Sequence, residues 1–211
     1  CVTNLEYMRF LKETGYGSLP PSWSFGRYPS ERANHPVYNI SLSDIGHFIS
    51  WLNQKTNRKF RLPTEAEWQL AALGAVHEGR IFPWGNRYDD LLLNHGRMVE
   101  PNFDDSDGYS RTAPVGSFPA GRSPFGLEDA FGNAWEFTGD FRMDDWRWMQ
   151  HDGYGQQSAI RNARMEGPGL RVAVRGGSFY FDFRPNPGGE WTAFSPEVRR
   201  KSSGFRCAAD A

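Results

Sequence analysis

The sequence predicts one mixed domain in which helices come first and short strands joined by long loops follow. A chain of 211 residues fits one domain with a substantial core. Apolar residues recur at helical spacing only in the first third of the chain, and the 23 Gly and 14 Pro residues indicate many turns. Aromatic side chains make up 15% of the residues and are spread throughout. Large rings can therefore supply the core, and the turns do not indicate disorder.

Two amphipathic helices are predicted before residue 60. The first follows a capping residue at Thr3 or Asn4 and ends at Gly15. The apolar residues that give it helical spacing are Leu5, Met8 and Leu11. The second follows a cap at Ser41 or Ser43. Its apolar positions are Ile45, Phe48, Ile49 and Leu52.

A third helix is predicted after Thr64, because Glu67 stands three residues later and the pair forms a capping box. Beyond Gly74 the chain offers only short strand candidates. With one earlier candidate, PVYNIS, they are FPWGN, TAPVGSF, NAWEFTGD, RVAVRGGSFYF and GFRCAAD. The loops between them are long, and long loops in a compact domain usually carry function or are held by a metal ion.

Charge and cysteine content exclude several classes of protein. The net charge is −1, with 24 basic and 25 acidic residues well mixed, so we expect no nucleic-acid partner. No apolar run has the roughly 20 residues that a membrane-spanning helix needs, so we expect no transmembrane segment in this chain. The only cysteines are Cys1 and Cys207, which excludes a scaffold built on disulfides.

Six sequence blocks, in this order and spacing, resemble the formylglycine-generating-enzyme (sulfatase-modifying-factor) family. They are HPVYNIS, RLPTEAEW, FPWGN, TAPVGSFPAG with FGLEDAFGNAWEFTGD, RGGSF and GFRCAAD, and the resemblance runs from about residue 2 to 210. It implies a C-type-lectin-like α+β fold, poor in regular structure, with structural Ca²⁺ holding the loops. Residues 1–211 then form one such domain. The family's usual first strand lies upstream of residue 2, so we expect this sequence to begin inside a longer chain.

One predicted calcium site lies in the segment DAFGNAWE. Asp129 and Glu136 are seven residues apart with Gly132 between them, and a loop around Ca²⁺ can combine carboxylates with backbone carbonyls. With the carbonyls of Gly132 and Ala134, these positions match a family calcium site, where this chain has Asp in place of the usual Asn. From the spacing alone, a different interpretation is open: Asp129 caps a turn and Glu136 pairs with an arginine.

The resemblance implies a second calcium site farther upstream. Its ligands would be the side chains of Asn94 and Asp107 and the carbonyls of His95 and Tyr109. The alternative is that the acidic cluster around Asp107 is simply solvated.

The cysteines of the family's copper site are missing from this chain. The family's namesake enzyme oxidises a substrate cysteine with O₂ and holds copper with two cysteines that follow the GGS motif. The matching positions are Phe181 and Asn186, and neither residue binds Cu(I), which prefers soft thiolates. Formylglycine generation by that chemistry is therefore not expected. The family partner of Cys207 corresponds to Ile49, so we expect Cys207 to be a buried free thiol.

A binding groove is the functional feature that the resemblance leaves. Family members bind substrate along the Trp of NAWE and the Ser of GGS, which are Trp135 and Ser178. The segment after Ser178 adds aromatic and charged residues typical of recognition surfaces. They are Tyr180, Phe181, Asp182, Arg184 and Trp191. For Phe181 a second interpretation is equally good: its ring belongs to an aromatic core under a long loop.

Two functions are compatible with these features. In the first, the domain is a non-catalytic binding or scaffold module, for example an accessory subunit of a larger assembly, with a protein or small ligand in the aromatic groove. In the second, it is an oxidoreductase with another reactive centre, similar to the family member that completes the pyoverdine chromophore. We expect a bacterial protein in the periplasm or outside the cell, while a cytoplasmic location stays open.

Overall fold

The computed structural model contains three α-helices and eight short strands within the residues it describes. Those residues are 1–75, 79–96, 98–99, 102–103, 105–143, 170–181 and 191–210. The helices are α1 (Asn4–Thr14), α2 (Leu42–Thr56) and α3 (Glu65–Leu73). The strands are β1 (Phe60–Arg61), β2 (Met98–Val99), β3 (Asn102–Phe103), β4 (Trp135–Met143), β5 (Leu170–Arg175), β6 (Trp191–Phe194), β7 (Ser203–Phe205) and β8 (Ala208–Ala209). None of the described helices is long and apolar enough to cross a membrane.

Helix α1 begins at Thr3, which makes a reciprocal capping box with Glu6. The predicted cap was therefore correct, but the apolar spacing of Leu5, Met8 and Leu11 describes the buried face only in part. Leu5 is 58% exposed, whereas the buried face presents Tyr7, Phe10 and Leu11. The rings of Tyr7 and Phe10 bury more surface than Leu5 could. Phe10 and Leu11 follow Tyr7 by three and four residues, so all three side chains share one side of the helix.

Helices α2 and α3 begin at the residues that their capping boxes indicate. Ser41, rather than Ser43, caps α2, and Thr64 caps α3. The inner face of α2 buries Ile45 and Phe48, as the helical spacing predicts.

Strands β6, β5, β4 and β7 form the central sheet in that order. Neighbours β6–β5 and β5–β4 are antiparallel, whereas β4 and β7 run parallel. The parallel register places Phe205 opposite Phe137 and Gly204 opposite Glu136. The end of β7 therefore lies beside Glu136, and this pairing positions the buried polar cluster described below.

Several predicted strands are turns or extended loop segments. The segment PVYNIS has no strand assignment and contributes a single bridge between Pro36 and Thr3. Its backbone is nevertheless held, since Val37 N–H bonds to the carbonyl of Val2 and Asn39 N–H bonds to that of Ser203. FPWGN is a tight turn, in which the N–H of Phe82 bonds to the carbonyl of Gly85 at 2.8 Å and the N–H of Gly85 bonds to the carbonyl of Phe82 at 3.0 Å. TAPVGSF also has no strand.

The core consists of two aromatic clusters. The first joins α1 and α2 to the central sheet through Tyr7, Phe48 and Phe205, whose rings are in contact. The second lies under α3, where Trp68 packs against Phe131. A residue from the GGS segment, Phe181, packs against both clusters. It therefore lies where the two halves of the core meet.

Candidate functional site

The loop around Asn94 contains a buried oxygen atom without a hydrogen-bond donor. Asn94 is 1% exposed. Its Nδ2 donates to the carbonyl of Arg111 at 3.0 Å, while no donor among the described residues reaches its buried Oδ1. An unpaired buried acceptor is costly, and a cation coordinated at this position would satisfy it.

Asp107 is held beside Asn94 by backbone amides. Its Oδ2 accepts the N–H of His95 at 2.9 Å, and its Oδ1 accepts that of Tyr109 at 2.8 Å. These two bonds gather the four residues of the upstream calcium prediction into one loop. The combination of an amide oxygen, a carboxylate and backbone carbonyls suits Ca²⁺. The residues present therefore fit this ion.

Gly132 links this loop to the segment that carries Asp129. At Gly132 the backbone has a φ of +82°, and an added Cβ would lie 2.1 Å from the carbonyl oxygen of Asn94. Only glycine permits both the dihedral angle and the close approach. The next residue, Asn133, donates its N–H to the same Asn94 carbonyl and bonds both backbone groups of Ala113 with its side chain. The two predicted calcium loops are thus one packed unit.

Asp129 is buried at the base of this unit, with a φ of +51°. Its Oδ2 accepts the N–H of Gly116 at 2.7 Å. Burial raises the pKa of the Asp129 carboxyl, although the hydrogen bond from Gly116 opposes that shift. The carbonyls of Gly132 and Ala134 accept no hydrogen bond in the described part of the chain. Together with Glu136, these groups make up the predicted downstream set of calcium ligands.

Glu136, the remaining predicted ligand, is fully buried and already surrounded by donors. Arg206 donates from Nε to Oε2 and from Nη2 to Oε1, both at 2.5 Å. Trp68 Nε1 donates to Oε2 at 2.6 Å, and Cys1 Sγ donates to Oε1 at 3.0 Å. An ionised carboxylate offers about four lone-pair positions. All four of Glu136 are used, so the residues here do not fit a calcium ion bound to Glu136.

Arg206 is the positive charge of this cluster. Burial acts to lower the pKa of its guanidinium, but the adjacent charge of Glu136 outweighs burial and raises that pKa. Its Nη2 also donates to the carbonyls of Glu128 and Asp129, at 3.0 and 3.3 Å. The arginine partner left open for Glu136 by the sequence is therefore present. Neither Arg206 nor Trp68 was among the predicted site residues, although both belong to blocks that carry the family resemblance.

The predicted groove residues lie at different depths. Ser178 is fully buried, and Trp135 is 8% exposed. Ser178 holds the following turn, since its Oγ accepts the N–H of Tyr180 and its carbonyl accepts that of Phe181. In this structure both residues support the groove segment, and their contact with a ligand stays a prediction. Tyr180 is partly exposed.

Phe181, which the family resemblance matches to a copper-binding cysteine, makes an aromatic contact in this structure. Its ring packs edge-on against Trp135, with ring centroids 5.5 Å apart. Asp182, Arg184 and Asn186 lie outside the described residues. For Trp191 the backbone is described, and it pairs with Arg175 at the start of β6.

Both cysteines are free thiols. Ile49 and Cys207 are partly buried side chains packed on the first core cluster, in agreement with the expected loss of the family disulfide. Burial raises the pKa of Cys207 to about 12. In the described part of the chain, no three His, Cys, Asp or Glu side chains gather into a metal site, so a transition-metal centre of protein side chains is not found there.

The fold and these loops define a domain of the sulfatase-modifying-factor class. The family described as "Sulfatase-modifying factor enzyme 1-like domain" matches residues 1–211, and the chain belongs to this family. The resemblance inferred from the six sequence blocks is thereby confirmed, as is the mixed α and β fold.

Among sequence relatives, the formylglycine-generating enzyme of Thermomonospora curvata is 32% identical over 192 residues, covering 86% of this chain and 57% of the relative. The "Inactive C-alpha-formylglycine-generating enzyme 2" of Mus musculus is 38% identical over 109 residues, or 51% of this chain and 33% of the relative. The chain thus spans about half the length, or less, of these curated relatives.

Among solved structures, PvdO from Pseudomonas aeruginosa superimposes with a TM-score of 0.68 at 25% identity, covering 100% of this chain and 78% of PvdO. CarF superimposes with a TM-score of 0.67 at 20% identity, covering 98% of this chain and 82% of CarF. The likeness to CarF concerns the fold alone.

Proposed function

We propose that this domain is a non-catalytic binding or scaffold module on the formylglycine-generating-enzyme fold, used as an accessory subunit of a larger assembly. The observation that carries the proposal is the position of Phe181. Where the family pattern places a copper-binding cysteine, this ring packs against Trp135 and both core clusters. An aromatic ring supplies no thiolate to Cu(I).

The two cysteines that the chain does have are poor substitutes for the missing pair. Cys1 Sγ donates to Oε1 of Glu136 at 3.0 Å, so this sulfur is already bonded to a buried carboxylate. Cys207 has a pKa of about 12 because it is buried, and a thiol with that pKa stays protonated at neutral pH. The nucleophilic and metal-binding form of cysteine is the thiolate. One relative is named as an inactive formylglycine-generating enzyme, and this name is consistent with loss of catalysis within the family.

The surface proposed for binding includes the partly exposed Tyr180, and the sequence alone extends this prediction to Trp191. The ring of Tyr180 contacts that of Phe179 at a tilt of 37°, with ring centroids 4.3 Å apart, and Phe179 contacts Tyr38. Exposed aromatic side chains on a supported turn are typical anchors for a protein partner or a small ligand. Ser178 and Trp135 hold this segment from beneath.

Copper binding and oxygen consumption test the proposal directly. We expect the purified protein to bind no stoichiometric Cu(I) and to consume no O₂ with a cysteine-containing peptide. The double variant Phe181→Cys/Asn186→Cys is the matched control, because it returns thiols to both family positions and is expected to gain Cu(I) binding. Copper-dependent O₂ consumption by the unmodified chain would refute the proposal.

The alternative is an oxidoreductase of the same family with a different reactive centre. The structural similarity to PvdO over the whole chain is compatible with this alternative. Elemental analysis separates the two proposals. Stoichiometric copper or iron in the purified protein supports the oxidoreductase. Calcium without copper or iron supports the binding module.

We also propose that a structural calcium ion is held by Asn94, Asp107 and the carbonyls of His95 and Tyr109. The support for this site is the unpaired buried Oδ1 of Asn94. The ion would supply positive charge and hold the loop, with no part in a reaction. Calcium sites of extracellular modules bind with dissociation constants of about 10⁻⁴–10⁻³ M, so the test should supply Ca²⁺ at millimolar concentration. EDTA should lower the melting temperature, and an unchanged melting curve would contradict the site.

A further inference from the structure

We infer that Arg206 supplies, at Glu136, the positive charge that a calcium ion would otherwise supply, so that this chain binds no calcium through Glu136. The family pattern places a cation ligand at this glutamate. In this structure the carboxylate is instead the centre of a closed hydrogen-bonded cluster. The inference concerns Glu136 only and does not depend on the function proposed for the groove.

The donors around Glu136 leave no place for an ion on either oxygen. Oε1 accepts Arg206 Nη2 and the thiol of Cys1, and Oε2 accepts Arg206 Nε and the indole of Trp68. The two arginine bonds have the parallel, bidentate geometry that gives Arg–carboxylate pairs their strength. A calcium ion could bind Glu136 only after at least one of these donors had moved away.

Arg206 is held in place by the fold. It follows Phe205, which pairs with Phe137 in the parallel register of β7 and β4. The side chain is 13% exposed, and that of Glu136 is completely buried. Two further bonds join its Nη2 to the carbonyls of Glu128 and Asp129. A divalent cation next to Glu136 would be repelled by this guanidinium, and repulsion is strong where water is excluded.

Asn94 and Glu136 differ in the hydrogen-bond donors that reach their side-chain oxygens. Within the described residues, Asn94 Oδ1 is buried and has no donor, whereas both oxygens of Glu136 have two donors each. One loop has an acceptor that an ion would satisfy, and the other has its charge neutralised already. We therefore expect one calcium ion per chain where the family pattern predicts two.

Calcium stoichiometry, measured by equilibrium dialysis and elemental analysis at millimolar CaCl₂, tests this inference. We expect one ion in the unmodified chain, none in Asp107→Asn and one in Glu136→Gln. Asp105→Asn is the matched control for Asp107, because Asp105 is an exposed carboxylate two residues away, and it should keep one ion. In Arg206→Met the glutamate loses two of its four donors, and we expect this variant to gain a second ion.

Two ions in the unmodified chain, with one lost in Glu136→Gln, would overturn the inference. So would one ion that persists in Asp107→Asn. If Glu136→Gln fails to fold, the unmodified chain and Asp107→Asn decide between these outcomes without it. Zero ions in the unmodified chain would refute the calcium proposal at Asn94 and would support the inference about Glu136.

Discussion

Asp44 joins three segments of the chain, and its removal should destabilise the domain strongly. It is 1% exposed and accepts the N–H and Oγ–H of Ser41 at 2.7 and 2.8 Å. Tyr16 donates its hydroxyl to Oδ1 at 2.9 Å, and Arg199 donates from Nη2 at the same distance. One carboxylate thus caps α2, holds the loop after α1 and anchors the segment before β7.

The expected cost of Asp44→Ala follows from these contacts. The variant keeps Ser41 as the cap but loses the half of the capping box that Asp44 supplies, the bonds from the N–H and Oγ–H of Ser41, which costs about 1 kcal/mol. Loss of the bonds from Tyr16 and Arg199 adds about 2 kcal/mol, because Arg199 is 26% exposed and water replaces part of its bonding. The total is about 3 kcal/mol, which corresponds to a fall in Tm of roughly 6–12 °C for a domain of this length.

Urea denaturation at pH 7, followed by tryptophan fluorescence, measures this change in the free energy of unfolding. Ser43→Ala is the matched control: it lies on the same turn, and Ser41 rather than Ser43 is the cap, so its effect should stay below about 0.5 kcal/mol. A loss of less than 1 kcal/mol in Asp44→Ala would refute the reasoning. A double-mutant cycle with Arg199→Met should return a coupling of about 1 kcal/mol or more.

The same carboxylate predicts a pH dependence. Burial acts to raise the pKa of Asp44, but the hydrogen bonds from Ser41 and Tyr16 outweigh it and lower the pKa below its ordinary value of 3.8. Its contribution is therefore complete above pH 3.8 and is lost as the pH falls through the lower pKa of the folded state. Asp44→Asn should lack this acid-dependent loss, and an identical acid limb in both proteins would contradict it.

Three further predictions concern buried polar groups. Tyr7→Phe should leave the free energy of unfolding unchanged or raise it by about 1 kcal/mol in urea denaturation, because the buried hydroxyl has no hydrogen-bond partner among the described residues. For His35, burial and then the charge of Arg32 lower the pKa below 6.5, so stability should fall as the pH drops below 6.5, measured as Tm against pH. Cys207 has a pKa of about 12, so iodoacetamide at pH 8 should label it far more slowly in the native protein than in urea, as peptide mapping by mass spectrometry will show.

Each of these has a control and a contradicting result. Tyr16→Phe, which loses a bond to Asp44, should destabilise, and a loss of 1 kcal/mol or more in Tyr7→Phe would show that the Tyr7 hydroxyl has a partner. His35→Gln should flatten the fall in Tm, and an equal slope would assign it to other groups. Equal labelling of Cys207 in native and denatured protein would show that this thiol is not buried.

Local sequence predicted the helix starts and the family, because those features depend on neighbouring residues. Thr3, Ser41 and Thr64 each cap a helix through a partner three residues later, and that spacing is visible without a fold. The buried face of α1 was less predictable. Leu5 and Tyr7 are both compatible with a core position, and the contact of Tyr7 with Phe48 of α2 determines which of them is buried.

The sequence by itself therefore determined the fold family, the caps, the absence of cysteine at the family's copper positions and the residue types of the loop around Asn94. Only the tertiary structure decided how Glu136 is neutralised, since its partner Arg206 is 70 residues away and is delivered by the parallel pairing of β7 with β4. The physical reason is that a carboxylate's charge state and coordination depend on the donors around it in space. A spacing of seven residues in sequence suits a calcium loop and an arginine partner equally well, and the position of one guanidinium separates the two.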